Sequence, residues 1–204
     1  MLHAPIGDRV VGEKYTTMEL AILLNAQAEI LRSNEGGVTF SGGEPLFQAE
    51  FVAQVIDLLD DVHVLLDTSG YASADDFRRV AERAQLVFFD LKLIDSNAHR
   101  QYTGVTNEPI LRNLRALSAM GVPFVIRVPM IPGVTDTDAN LSAIAETVCG
   151  LPGLVRVDLL PYNQAAGAKY ESVDMKFAPD YDEAHALNFN TALFGKRSVP
   201  VRIA

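Results

Sequence analysis

Short apolar runs ending on polar residues, each followed by a stretch of helical periodicity, recur from one end of this chain to the other. The extended runs are GGVTF (36–40), VHVLLDTSG (62–70), LVFFDLKL (86–93), PFVIRVPMIPG (123–133) and LVRVDLLPYN (154–163), with VPVRI (199–203) as a short last strand. The helical stretches are 18–31 in front, then 49–61, 73–84, 95–102, 107–121, 136–151 and 180–195. Ser73, followed by acidic residues, predicts a helix start. Gly121 predicts a helix stop, and Pro129 the end of a strand, because proline removes a ladder donor. The polar strand ends fall at Asp67, Asp90, Arg127 and Asn163, at steps of 23, 37 and 36 residues. Runs this apolar belong to a parallel sheet covered by helices. The expected fold is α/β, a single domain over residues 1–204, with βα units in an open parallel sheet or a barrel.

Of the 204 residues, 49% are hydrophobic and 21% charged, which is enough for a buried core and too apolar for a disordered chain. The formal charge is −9, and the dense basic spots are confined to Arg78-Arg79 and Lys196-Arg197, so no nucleic-acid partner is expected. No apolar run approaches the ~18 residues of a membrane helix, and MLHAPIGDRV lacks an apolar signal-peptide core. A cytoplasmic protein with no membrane partner is the expectation. Cys149 is the single cysteine. It forbids an intrachain disulfide and any iron–sulfur cluster held by these residues alone. Its neighbours Val148 and Leu151 predict a small buried residue rather than a nucleophile. His3, His63, His99 and His185 lack metal-ligand spacing, and surface or helix-end positions are expected for them.

In parallel α/β folds, ligands sit at the carboxyl ends of the strands. The segments that would meet there are Ser41-Gly42-Gly43-Glu44-Pro45, Asp67-Thr68-Ser69-Gly70, Asp90-Leu91-Lys92, Arg127-Val128-Pro129 and Pro161-Tyr162-Asn163. Gly42-Gly43 lets a ligand approach main-chain donors without a Cβ in the way, although a plain tight turn uses the same pair. Neither a Walker loop nor G-x-G-x-x-G accompanies it. Asp67 and Asp90 follow apolar runs, where a carboxylate must be solvated, paired or bound to a cation; either also suits a cap or turn acceptor. Lys92, two residues beyond Asp90, shares its side of an extended segment. Arg127 follows Phe-Val-Ile, where a bidentate contact to a carboxylate is the natural use of a guanidinium. As a set, these groups suit a ligand carrying both an ammonium and a carboxylate, such as an amino-acid moiety.

In order and spacing, GGVTFSGGEPLFQAEF, LLDTSGY, FFDLKLIDSNAHRQYTGVTNEPILRNLRAL, RVPMIPGVTDTDANL and LLPYNQAAGAKYESV resemble the glycyl-radical-enzyme activating proteins. These are radical S-adenosylmethionine enzymes of the pyruvate formate-lyase activating type. The resemblance runs from about Val10 to Val173. It implies a partial (β/α)6 barrel whose first strand precedes a CxxxCxxC loop holding a 4Fe-4S cluster. It further implies reductive cleavage of S-adenosylmethionine to a 5′-deoxyadenosyl radical, which abstracts hydrogen from a glycine of a partner glycyl-radical enzyme. Flavodoxin or ferredoxin is the implied electron donor. By the same resemblance, Gly42, Gly43 and Glu44 meet the methionyl amine. Asp90, Leu91 and Lys92 form a D-x-K that contacts the cofactor, Lys92 facing its carboxylate and Arg127 lying nearby. Asp67, Thr68 and Asp90, with the Phe88 carbonyl, match a monovalent-cation site. Asn163 stands where the family has histidine in LPYH, and can hydrogen-bond an adenosine group without titrating near neutral pH.

The cluster cysteines and the strand before them have no counterpart in these residues, which resemble the C-terminal part of a longer relative. Residues 1–10 resemble the tail of a ferredoxin-like insert, with Ala4 where cysteine would stand. On this reading the chain alone supplies no catalytic cluster ligand and is inactive. Its sheet begins at Gly37–Phe40 with an unpaired edge, covered by the 16–33 helix or by another chain, or left prone to aggregate. A cluster-free protein that binds S-adenosylmethionine or a partner enzyme is the alternative. A cluster-independent barrel enzyme using Lys92 and the two aspartates for acid–base work rests on the barrel pattern alone.

Overall fold

The computed structural model describes residues 13–162 and 181–204. Asn163 and the 1–10 segment lie outside the described residues. Six parallel strands form one open sheet in sequential order: β1 Gly37–Phe40, β2 His63–Thr68, β3 Leu86–Asp90, β4 Phe124–Pro129, β5 Leu154–Leu160 and β6 Val201–Ile203. Helices α1 Thr17–Asn25 and α2 Ala28–Ser33 precede β1. A 3-10 turn at Pro45–Gln48 leads into α3 Ala49–Asp57, and α4 Ala74–Ala81 follows β2. Both α5 Ser96–Thr103 and α6 Glu108–Met120 separate β3 from β4. Then come α7 Asp138–Val148 and α8 Ala192–Gly195. β1 pairs with β2, and α2 packs beside it, with the Gly36 N–H donating to the Leu31 carbonyl at 2.7 Å. This leaves β1 at the edge of the sheet, as the sequence predicts.

Local signals set the helix ends. Ser73 Oγ accepts from the Asp76 N–H at 3.1 Å at the start of α4, with Asp75 and Asp76 in the positive first turn. Thr16 and Glu19 form a reciprocal capping box at α1. Gly121 closes α6 in the left-handed region, at φ 72°. Two predicted helices are corrected. The 18–31 helix breaks at Ala26-Gln27, where Asn25 spends its amide on the connection after α3, donating to the Leu58 carbonyl at 2.9 Å and accepting from the Asp60 N–H at 3.0 Å. In the 180–195 stretch, helix forms only at Ala192–Gly195 among the described residues. There Asn188 bonds Asp136 and Asp138, and Asn190 bonds Asp138, which holds the segment irregular.

Alternation along the strands decides the rest. Val64, Leu66, Val87, Phe89, Ile126, Val128, Val157 and Leu159 are buried in one core with Phe77, Leu114, Leu117, Leu141 and Ile144 of the helices. The other face is only half-buried over β3, at Leu65 and Asp67 of β2 and at Arg127 and Pro129 of β4, with Val125 the buried exception, a departure from the expectation of strands covered on both sides. Parallel register places Asp67 beside Phe88, Asp90 beside Arg127, Arg127 beside Asp158, and Asp158 beside Arg202. Registered residues point to the same face, so one surface of the sheet gathers all of these ionic groups near the carboxyl ends of its strands. Cys149 is also a correction. It leaves α7 in an extended conformation and is exposed, with its Sγ 3.5 Å from the Arg197 carbonyl.

Candidate functional site

Asp67, Asp90, Arg127 and Lys92 come together as predicted, but with internal partners. Arg127 donates from Nε to Asp90 Oδ1 at 3.0 Å, and from Nη2 to Asp90 Oδ1 at 2.9 Å and to Asp67 Oδ1 at 2.5 Å. Its guanidinium also lies 5.3 Å from the Phe88 ring centre. Arg127 therefore spends its hydrogen-bonding edge on two carboxylates of its own chain, Asp90 from the adjacent β3 and Asp67 from β2 beyond it. Lys92 Nζ stands 3.9 Å from Asp90 Oδ2 and is 35% exposed, which leaves it as the more available cation. Burial pushes the Asp90 carboxyl above its ordinary range, and Lys92 and Arg127 offset this without cancelling it.

The loop after β1 is locked to the turn after β2 through Glu44. Glu44 Oε1 accepts from Thr68 Oγ1 at 2.6 Å and from the Leu46 N–H at 3.2 Å. Its Oε2 accepts from the Ser69 N–H at 2.9 Å and from Ser69 Oγ at 2.5 Å. Glu44 thus fixes the loop, while the open backbone belongs to Gly42 and Gly43. A Cβ built on either glycine meets nothing within 4 Å, and Gly42 has φ 115°. Ser41 Oγ donates to Asp67 Oδ2 at 3.1 Å and ties the same loop to the ionic cluster.

Two candidates face elsewhere. Leu91 is buried in the core, and its N–H donates to the Arg127 carbonyl at 2.9 Å. Thr68 lies on the helix-covered face of β2, its hydroxyl donating to Glu44 and accepting from the Gly70 N–H at 2.9 Å. Their main chains, not their side chains, adjoin the strand ends. Between Asp67 and Asp90, where a monovalent cation was expected, the Arg127 guanidinium supplies the positive charge. Among the described residues, no group of three or more His, Cys, Asp or Glu is placed to hold a metal ion.

Sequence reasoning missed the groups that hold this site rigid. Asn140, in the first turn of α7, donates to the carbonyls of Lys92 at 2.9 Å and Thr135 at 2.8 Å, and accepts from the Ile94 N–H at 3.1 Å. Asn107 donates to the carbonyls of Leu93 at 3.0 Å and Ile94 at 2.8 Å. The backbone carrying Lys92 is therefore clamped from two helices. Asn113 similarly holds the Gly70 carbonyl at 2.8 Å. A second ionic group, also missed, lies one strand further along. Asp158 is 2% exposed and accepts Nε of Arg156 at 2.8 Å and Nε of Arg202 at 2.7 Å, with each Nη2 on its other oxygen. Burial pushes the Asp158 carboxyl up, but hydrogen bonds from Arg202 and Arg156 outweigh it and hold it below the ordinary range. The i, i+2 spacing of Arg156 and Asp158 was the available signal, by the argument already applied to Asp90 and Lys92.

The donor set fits one implied group and not the other. Open glycine backbone, an available ammonium and a half-buried carboxylate suit an amino-acid zwitterion. An iron–sulfur cluster needs several thiolates, whereas the chain's one cysteine ends α7, shortly before β5 begins and away from the strands' carboxyl ends.

Comparison with known proteins shows the family of the chain. Residues 9–142 match the model of the Radical SAM superfamily. The chain is 31% identical over 86% of its length to a pyruvate formate-lyase-activating enzyme of Clostridium pasteurianum, covering 74% of that protein. It is 36% identical over 82% of its length to a trans-4-hydroxy-L-proline dehydratase activating enzyme of Clostridioides difficile, covering 57% of it. The chain thus spans little more than half the length of this relative and of a 4-hydroxyphenylacetate decarboxylase activating enzyme, of which it covers 58%. A crystal structure of a domain of pyruvate-formate lyase-activating enzyme from Bacteroides vulgatus superposes with a TM-score of 0.65 at 27% identity, over 83% of this chain and 99% of that one. The six parallel strands are those of a partial radical-SAM barrel, and the chain belongs to the radical SAM superfamily, among the activating enzymes of glycyl-radical enzymes.

Proposed function

We propose that this chain forms the S-adenosylmethionine-binding part of a glycyl-radical-enzyme activase that works in the cytoplasm. The observation that carries this reading is the Arg127 bridge between Asp67 and Asp90, with Lys92 beside Asp90 and the Gly42-Gly43 loop tied to Asp67 through Ser41. Lys92 takes the methionyl carboxylate, and the open main chain at Gly42 and Gly43 meets the methionyl ammonium. Arg127 keeps Asp67 and Asp90 charged-paired and in register rather than gripping the ligand directly. Glu44 holds the glycine loop against β2. In the family, a 4Fe-4S cluster supplies the electron that cleaves S-adenosylmethionine. The residues present do not fit that cluster, so the chain on its own binds without redox chemistry. The protein substrate is a glycyl-radical enzyme, and a flavodoxin or ferredoxin provides the electron in the complete system.

Isothermal calorimetry of the 204-residue chain with S-adenosylmethionine tests the reading. Saturable binding is expected, weakened about tenfold or more by Lys92→Ala through loss of a charged hydrogen bond. Absence of binding by folded wild-type protein, or binding indifferent to Lys92, would contradict it.

A further inference from the structure

The two ionic groups on the open face of the sheet differ in how their charges balance. Around Arg127, two carboxylates meet one guanidinium, and Lys92 beside Asp90 supplies the second positive charge. Around Asp158, two guanidiniums meet one carboxylate, and among the described residues neither Arg156 nor Arg202 has another acid within salt-bridge distance. A positive charge is left there without a counterpart, in a chain whose formal charge is −9. Both arginines approach Asp158 through Nε and Nη2. A guanidinium is a planar fork, so contact along that edge leaves Nη1 on the side away from the carboxylate. Neither Nη1 has a hydrogen-bond partner among the described residues. Exposure rises outward through the group: the Asp158 side chain is 4% exposed, Arg156 29% and Arg202 56%.

One guanidinium is enough to neutralise Asp158. A second one on the same carboxylate repels the first, and the forked bonds to Asp158 hold both in place. A further anion on the free edges would relieve that repulsion, and it would meet donors already fixed in direction, so little ordering entropy opposes it. We propose that Arg156 and Arg202, set by Asp158, form a binding site for an oxyanion, a carboxylate or a phosphate. Register places Asp158 between Arg127 and Arg202, and β6 is the last strand of the sheet. The site therefore shares a face with the Asp67–Arg127–Asp90 bridge but lies toward the opposite edge from β1. It uses none of the residues assigned to S-adenosylmethionine, and it stands or falls independently of that reading. The oxyanion comes either from an acidic side chain of a protein laid across this edge or from a free small molecule; the chemistry of recognition is the same.

Nitrogen-15 NMR of the arginine Nε–H groups in the 204-residue chain tests this. The probes are inorganic phosphate and a blocked tri-glutamate peptide, each compared with sodium chloride at matched ionic strength. Saturable movement of the Arg156 and Arg202 signals is expected with the oxyanions and not with chloride. Arg202→Gln, at an exposed edge position, is expected to weaken that binding about tenfold, as for loss of a charge-assisted hydrogen bond. Asp158→Asn removes the internal competitor and is expected to tighten it several-fold, a direction that a purely structural ion group would not give. Should Asp158→Asn fail to fold, Arg156→Gln takes its place, with weakening expected. Saturation with phosphate alone assigns the site to a small-molecule anion, and saturation with the peptide assigns it to an acidic protein segment; both support the site. Movement that chloride reproduces, or binding unchanged in Arg202→Gln, would overturn it. Calorimetry with S-adenosylmethionine is expected to give the wild-type affinity in Arg202→Gln, so failure of either reading leaves the other measurable.

Discussion

Replacing Arg127 with methionine keeps the length of the side chain and removes the charge that joins β2, β3 and β4. Three hydrogen bonds of 2.5–3.0 Å are lost, and two facing carboxylates remain. Breaking a fully buried ion pair costs about 3–5 kcal/mol, and an exposed pair about 0–1 kcal/mol. Arg127 is 21% exposed and each aspartate 18%, so the cost falls between these limits, at about 2–3 kcal/mol. That is a large share of a typical domain's ~5–15 kcal/mol. Burial already raises the Asp90 carboxyl, so its protonation favours the folded state. In the wild type that contribution is present below about pH 4 and lost as the pH rises through the folded value. Without Arg127 the folded value rises further, so the loss of stability is expected to be smaller near about pH 5 than near about pH 8. Arg127→Met combined with Asp90→Asn should recover about 1 kcal/mol of coupling. Urea unfolding midpoints at unchanged slope measure all of this. A loss below about 0.5 kcal/mol, or strict additivity with Asp90→Asn, would refute the argument that these charges act as one unit.

Acidification should weaken the fold through Asp158. Its carboxyl is held below the ordinary range, so its contribution is present above about pH 4 and lost as the pH falls through the folded value. The melting temperature of Asp158→Asn is expected to fall less steeply with acid than that of the wild type; identical profiles would remove Asp158 from the account. The glycines separate fold from site. Gly70 has φ 71°, and an added Cβ would strike the Phe89 ring, so Gly70→Ala should cost about 1–3 kcal/mol. Gly43→Ala meets nothing within 4 Å; it should unfold at the wild-type midpoint yet bind S-adenosylmethionine more weakly in calorimetry. Unchanged binding would place the ligand elsewhere.

Much of this molecule is legible in its sequence because alternation and punctuation agree along it. The apolar runs end where the strands end, and Ser73, Gly121 and Pro129 mark boundaries by mechanisms local to a few residues. Asp67, Asp90 and Arg127 were legible as a cluster because each interrupts a buried run at the same end of its strand. Their pairing was not, since the choice of Arg127 between a ligand and two aspartates depends on register between strands 37 and 60 residues apart in sequence. The broken first helix and the irregular segment before α8 were illegible for a related reason. Asn25, Asn188 and Asn190 reach partners tens of residues away, and those bonds override local periodicity. Asn107 and Asn140 read as ordinary helix-start residues; that they clamp the Lys92 loop follows only from tertiary contact.

The central claim is that the amino-acid end of S-adenosylmethionine is held where β1, β2 and β3 end. A crystal structure of this chain with S-adenosylmethionine tests it most directly. The account predicts the methionyl carboxylate within hydrogen-bonding distance of Lys92 Nζ and the ammonium beside the Gly42-Gly43 main chain, with the Arg127 bridge to Asp67 and Asp90 intact. Ligand bound away from Lys92, or a bridge opened so that Arg127 itself takes the carboxylate, would contradict it.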